Sequence, residues 1–201
     1  MKKDEHLVLH GLAIKKYGDA ASVAGLLGLD EERVTQILQD GVTKGRVNAI
    51  AGRFALAPIA RVALVSEYPK HFADIRANEP FVRAYEEFER LNVTLKGLIT
   101  DWQTIPVAGS MVPNTHADKG YDERIIDRLG ALNERATKMM SALAAELPRM
   151  AIYQRKLQEA LEKAEDGAIE WVSDAKIDSY HTTWFELHED LLCMLGKQRE
   201  E

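Results

Sequence analysis

The sequence has a single cysteine, Cys193, among 201 residues, which excludes an internal disulfide framework and fits a reducing cytoplasm. Six prolines and thirteen glycines are too few for a collagenous or low-complexity chain. No apolar run approaches the roughly 20 residues of a membrane span. The opening Met1-Lys2-Lys3-Asp4-Glu5-His6 leads into a stretch too short and too interrupted for a signal peptide. The glycines stand singly, and none follows a predicted strand into a helix at the spacing of a phosphate-binding loop. Cys193 has no CxxC partner, and no HExxH motif is present. What remains is 46% hydrophobic and 29% charged, the composition of a folded protein rather than a disordered one.

Charge is divided unevenly. Residues 1–66 carry nine Lys and Arg against seven Asp and Glu, and residues 67–201 carry seventeen against twenty-five. The acidic second part repels DNA and anionic lipid, so any nucleic-acid contact must come from the first. This asymmetry predicts two modules, residues 1–68 and 69–201.

In the first, Leu7, Val8, Leu9, Leu12 and Ile14 give the stripe of one helix, closed near Tyr17-Gly18. Asp19 and Asp30 stand where they would cap a second and a third helix. Val34, Ile37 and Leu38 form the inner face of the third, and Gly41 is its expected stop. Arg46–Ile50 and Arg53–Leu56, separated by Ala51-Gly52, read as a hairpin, and Pro58 opens a further helix. Three helices and a hairpin in this order predict a winged helix-turn-helix. Its recognition helix would begin Asp30-Glu31-Glu32, three acids aimed at phosphates, which disfavours DNA. Lys44, Arg46 and Arg53 are the basic residues that a DNA-binding wing would use.

The second module carries longer helices. Phe81, Tyr85, Phe88, Leu91, Leu95, Leu98 and Trp102 recur every three or four residues. After a loop expected over 105–121, Ile125, Ile126, Leu129, Leu132, Ala136, Met139 and Leu143 mark a second helix, and Pro148 restarts or kinks it into a third. A last helix opens at Asp178 or Ser179 and sets His181, Trp184, His188, Leu191 and Leu195 on one stripe. The fold class expected is therefore mainly α: a winged helix followed by an all-α antiparallel helical bundle.

Few residues carry chemistry. His6 and His10 are one turn apart but lack further ligands, so packing or solvation explains them better than a metal. Cys193 lies in Leu191-Leu192-Cys193-Met194-Leu195 and reads as a core thiol. His181 and His188, two turns apart, are separated by about 10 Å, too far for one ion. They read first as buried, hydrogen-bonded histidines and second as the lining of a pocket. Glu186, Glu189 and Asp190 are expected to face solvent or pair with neighbouring helices. In the polar loop Asn114–Asp122, Asp122 is the expected helix cap, and His116 and Asp118 could approach His181.

The string Asp178–Leu192, the segment Leu98–Gln103 with its Trp102-Gln103 pair, the loop Asn114–Asp122 and the opening Val8–Lys16 resemble the C-terminal region of actinobacterial pyruvate, phosphate dikinase-like proteins. The chain is too short for the catalytic domains of that group. The resemblance therefore implies a free-standing, non-catalytic accessory or regulatory module of a phosphoenolpyruvate-utilising phosphotransferase. The candidate ligand residues are Trp102, His116, Asp118, Tyr180, His181, Trp184 and His188. The expected partner is a subunit of such an enzyme, a homodimer is compatible with the pattern, and neither a cofactor nor a metal is expected. The alternative is a winged-helix transcriptional regulator whose helical part dimerises or binds an effector.

Overall fold

The computed structural model describes residues 1–107 and 109–199. The chain is mainly helical, with two small antiparallel hairpins. It falls into two compact units, Met1–Glu79 with Glu186–Glu201, and Pro80–Phe185. The first unit thus extends past residue 68 and takes in a segment from the far end of the sequence.

The first unit opens with α1 (Lys3–Lys15), α2 (Ala20–Leu27) and α3 (Glu31–Thr43). The Asp19 carboxylate accepts from the Ser22 amide at 2.8 Å, and Asp30 accepts from the Arg33 amide at 2.9 Å, so both expected caps form. Gly28 ends α2 in the left-handed region. Gly41, however, does not end α3. It is buried, and a β-carbon there would lie 2.8 Å from Val47 Cγ2. The glycine lets the next strand approach the helix, a packing role that looks like a stop signal in sequence.

Strands β1 (Val47–Ile50) and β2 (Arg53–Leu56) pair with Ile50 opposite Arg53 and Val47 opposite Leu56. Ala51 and Gly52 both have positive φ, the geometry of the two-residue turn that suits strand twist. Gly18 adds a bridge to Phe54 through bonds of 3.1 and 2.8 Å. Helix α4 (Pro58–His71) starts on its proline, as its fixed φ favours, and α5 (Ala73–Ala77) follows.

The second unit is built on α6 (Glu79–Gln103), α7 (Lys119–Glu146) and α8 (Ala151–Glu165), with a short α9 (Glu170–Ser173). The α6 stripe buries Phe81, Tyr85, Phe88, Leu91, Leu95, Leu98 and Trp102 as its periodicity predicts. A single 3-10 turn, Pro148–Met150, links α7 to α8. Residues expected as an irregular loop instead contain β3 (Thr104–Val107) and β4 (Ser110–Pro113), paired Thr104 to Pro113 and Val107 to Ser110. Pro106 looks like a strand breaker, but every strand of a two-stranded ribbon is an edge that tolerates proline.

Helix α10 (Tyr180–Leu195) begins in the second unit and ends in the first. In the second, its opening residues join a polar network in the core. Trp184 Nε1 donates to Asn92 Oδ1 at 3.1 Å, and the Tyr180 hydroxyl donates to Asn133 Oδ1 at 3.1 Å. Asn133 Nδ2 donates on to Gln158 Oε1 at 2.8 Å. These bonds fix the rotation of α10 against α6 and α7, because each buried group left unmatched by a turned helix would cost free energy.

In the first unit, the end of α10 is tied to α1. Lys15 Nζ donates to both oxygens of Glu186 at 2.7 and 2.9 Å, and His10 Nε2 donates to Asp190 Oδ1 at 2.8 Å. The expectation that Glu186 and Asp190 face solvent or pair with neighbours resolves to pairing, with Asp190 wholly buried. Arg76 Nε donates to the Met194 carbonyl at 2.7 Å, a cation meeting the negative end of the helix. Among the described residues, no helix is long and apolar enough to cross a membrane.

Candidate functional site

The polar loop before α7 holds a histidine fixed by its backbone and by its neighbours. His116 has φ +58°, a left-handed conformation uncommon for a side chain of its size. The Asn114 side chain sustains it, since its Oδ1 accepts from the His116 amide at 2.9 Å. Asn114 Nδ2 spends its two hydrogens on the Trp102 carbonyl at 3.1 Å and on Asp122 Oδ1 at 2.9 Å. Asp122 Oδ2 lies 3.0 Å from His116 Nδ1. A carboxylate only accepts, so Nδ1 carries a proton, and in the neutral ring Nε2 holds the lone pair. Asp122 is 4% exposed, and the imidazole packs on Trp102 with ring centres 4.5 Å apart.

This corrects one expectation. Asp118, not Asp122, caps α7, accepting from the Tyr121 amide at 3.0 Å. The helix starts four residues earlier than Asp122 would place it. Asp122 therefore sits one turn inside, free to orient the histidine.

His116 borders a cleft of about 500 Å³ that Lys119, Glu123, Asp127, Glu165 and Ile169 also line. Including Asp122, the lining carries four carboxylates against one ammonium, a field that repels phosphorylated or carboxylate ligands. Among the described residues, no three of His, Cys, Asp and Glu are arranged to hold a metal ion. The arrangement can therefore accept a proton or a hydrogen bond from a neutral or cationic donor. Asn114→Ala should cost about 1–3 kcal/mol in urea unfolding, because it strands the Trp102 carbonyl and releases His116. A change below about 0.5 kcal/mol would show that the loop holds its shape without the asparagine.

Tyr180 and Trp184 stack on each other, with centres 6.2 Å apart, and serve the core network. His181 is half-buried, and burial lowers its pKa. His188 is buried in the first unit.

A second polar array lies in that first unit. Asp190, His10 and Tyr68 are linked in series, with His10 Nδ1 3.1 Å from the Tyr68 hydroxyl. The order resembles a catalytic relay, but His10 and Asp190 are fully buried. Burial pushes the Tyr68 and Cys193 pKa values up, so neither is a ready nucleophile. The array holds helices together.

The basic residues of α3 and the hairpin are already engaged. Lys44 pairs with Asp40, Arg46 with Glu5, and Arg33 with Asp4, while the Arg53 guanidinium lies 5.5 Å from the Tyr17 ring centre. The sequence shows the cations but not that Asp4 and Glu5 of α1 meet Arg33 and Arg46. Beside them stand apolar side chains with no cover: Ile50 at the hairpin turn and Ile59, Val62 and Val65 along α4, each more than half exposed.

Compared with family models, curated proteins and solved structures, the chain matches none.

Proposed function

We propose that this protein is a non-catalytic accessory or regulatory module that works by docking a partner protein through its N-terminal unit. The single observation that carries this reading is the surface of that unit. Its hairpin and α3 cations are neutralised by carboxylates of the same chain or laid on a ring, while Ile59, Val62 and Val65 stand bare on α4. A surface whose hairpin and α3 cations each have a partner in the same chain, and whose apolar side chains are exposed, suits a protein rather than a polyanion. The partner class, a phosphoenolpyruvate-utilising phosphotransferase, rests on the resemblance of the segments Val8–Lys16, Leu98–Gln103, Asn114–Asp122 and Asp178–Leu192. The acidic cleft at His116 is unsuited to phosphoenolpyruvate itself, which favours protein contact over substrate sensing.

The second reading, a winged-helix regulator bound to DNA, draws on the order of three helices and a hairpin in the first unit. A titration of duplex DNA at several salt concentrations separates the two. Docking predicts only weak, sequence-independent binding, unchanged by Arg46→Ala with Arg53→Ala. Submicromolar binding that falls steeply with salt, and whose salt slope flattens in the double variant, would favour DNA.

A further inference from the structure

Two aromatic bases meet inside the first unit with nothing to satisfy them. His6 on α1 and His71 at the end of α4 stack with ring centres 3.9 Å apart and planes within 18°. His6 is 2% exposed, and the Nε2 atoms of both rings are buried without a hydrogen-bond partner. Tyr68 and Phe72 close over His6 edge-on, at 5.3 and 5.5 Å.

A metal ion does not explain the pair. Nearly parallel rings send their in-plane lone pairs side by side rather than toward one point, and no three-ligand group exists among the described residues. A proton does affect them. The charges facing His6 are His71 and Glu67 on α4, His10 on its own helix and the Met1 amine. Glu67 Oε2 is 3.4 Å from His71 Nε2, within ion-pair range but outside hydrogen-bond geometry, and 3.5 Å from the Met1 nitrogen. A charge on His71 therefore has a carboxylate beside it, whereas a charge on His6 Nε2 is buried against a second imidazole.

We propose that the stacked His6–His71 pair is an acid-sensitive latch, holding α1 on α4 while both rings are neutral and releasing it when His6 takes up a proton. Its neighbours make the release local. The His10–Asp190 and Lys15–Glu186 ties lie farther along α1, so its first two turns part before the rest.

The direction follows from linkage. Burial, then His71 and His10, depress the His6 pKa from 6.5 to about 4. The closed form binds fewer protons than the open one, so the latch is fully effective above about pH 6.5 and weakens as pH falls toward 4. At pH 5 these two values imply an opening equilibrium shifted about thirtyfold from that at pH 7.5.

The test is amide hydrogen exchange on the full chain at pH 7.5 and pH 5, expressed as protection factors. We expect the amides of residues 6–9, the first in α1 with backbone acceptors, to lose about thirtyfold in protection while α6 and α7 keep theirs. His6→Phe, which preserves the stack without a titratable nitrogen, should abolish the loss. Should that variant fold poorly, His71→Phe serves instead: it removes the neighbouring charge and should shrink the loss. Unchanged protection of residues 6–9 at pH 5 overturns the latch. So does an equal loss in both variants, or a loss that spreads uniformly through both units.

Discussion

Replacing Asp190 with alanine should lower the unfolding free energy by about 3–5 kcal/mol, the range for stripping one partner from a buried carboxylate–imidazole pair. The carboxylate is wholly enclosed and accepts from His10 Nε2 at 2.8 Å, and His10 Nδ1 in turn meets the Tyr68 hydroxyl at 3.1 Å. Without Asp190, the imidazole N–H is left in an apolar interior with no acceptor. Asp190→Asn keeps an acceptor oxygen and should recover much of the loss. Urea unfolding of the three proteins measures the difference. A loss below about 1 kcal/mol for the alanine variant would mean that water or another group satisfies His10, and that the end of α10 is not fastened this way.

Trp184→Ala should cost a similar amount, about 3–5 kcal/mol, but for a different reason. The indole is 2% exposed, stacks on Phe88 with centres 4.8 Å apart and donates to Asn92. Truncation removes the largest side chain of α10 from the core and strands the Asn92 oxygen. Trp184→Phe separates the two contributions: it retains much of the packing and loses only the bond, at about 1–3 kcal/mol. If the phenylalanine variant matched the alanine one, the hydrogen bond rather than volume would dominate. Calorimetry and denaturant curves read both.

These residues show what a linear reading can reach. The periodicity of Phe81 to Trp102 predicts α6 because one apolar stripe every 3.6 residues has a single packed solution. Asp19, Asp30 and Pro58 announce helix starts because their chemistry is local. Gly41 misleads because its reason, the approach of Val47, lies across the unit. The histidines are harder still. Seven-residue spacing joins His181 to His188 on one helix, yet the partners that matter to imidazoles in this protein are distant: Asp190 for His10, and His71 for His6. At the loop, His116 is visible as a candidate, but Asp122 looks like a cap until Asp118 is seen to fill that place. Local sequence names groups able to do chemistry, whereas tertiary pairing decides which are spent on structure.

That division bears on function. The array most like a catalytic relay is sealed, Lys44 and Arg46 before the hairpin are paired with carboxylates, and Ile59, Val62 and Val65 on α4 are exposed. The most direct measurement is co-purification of the tagged full chain from nuclease-treated lysate of its native cell, beside a Val62→Asp, Val65→Asp variant. The docking account predicts stoichiometric capture of a phosphoenolpyruvate-utilising enzyme by the unaltered chain and its loss from the equally stable variant. Recovery of the bare protein, or equal capture by both, would contradict it.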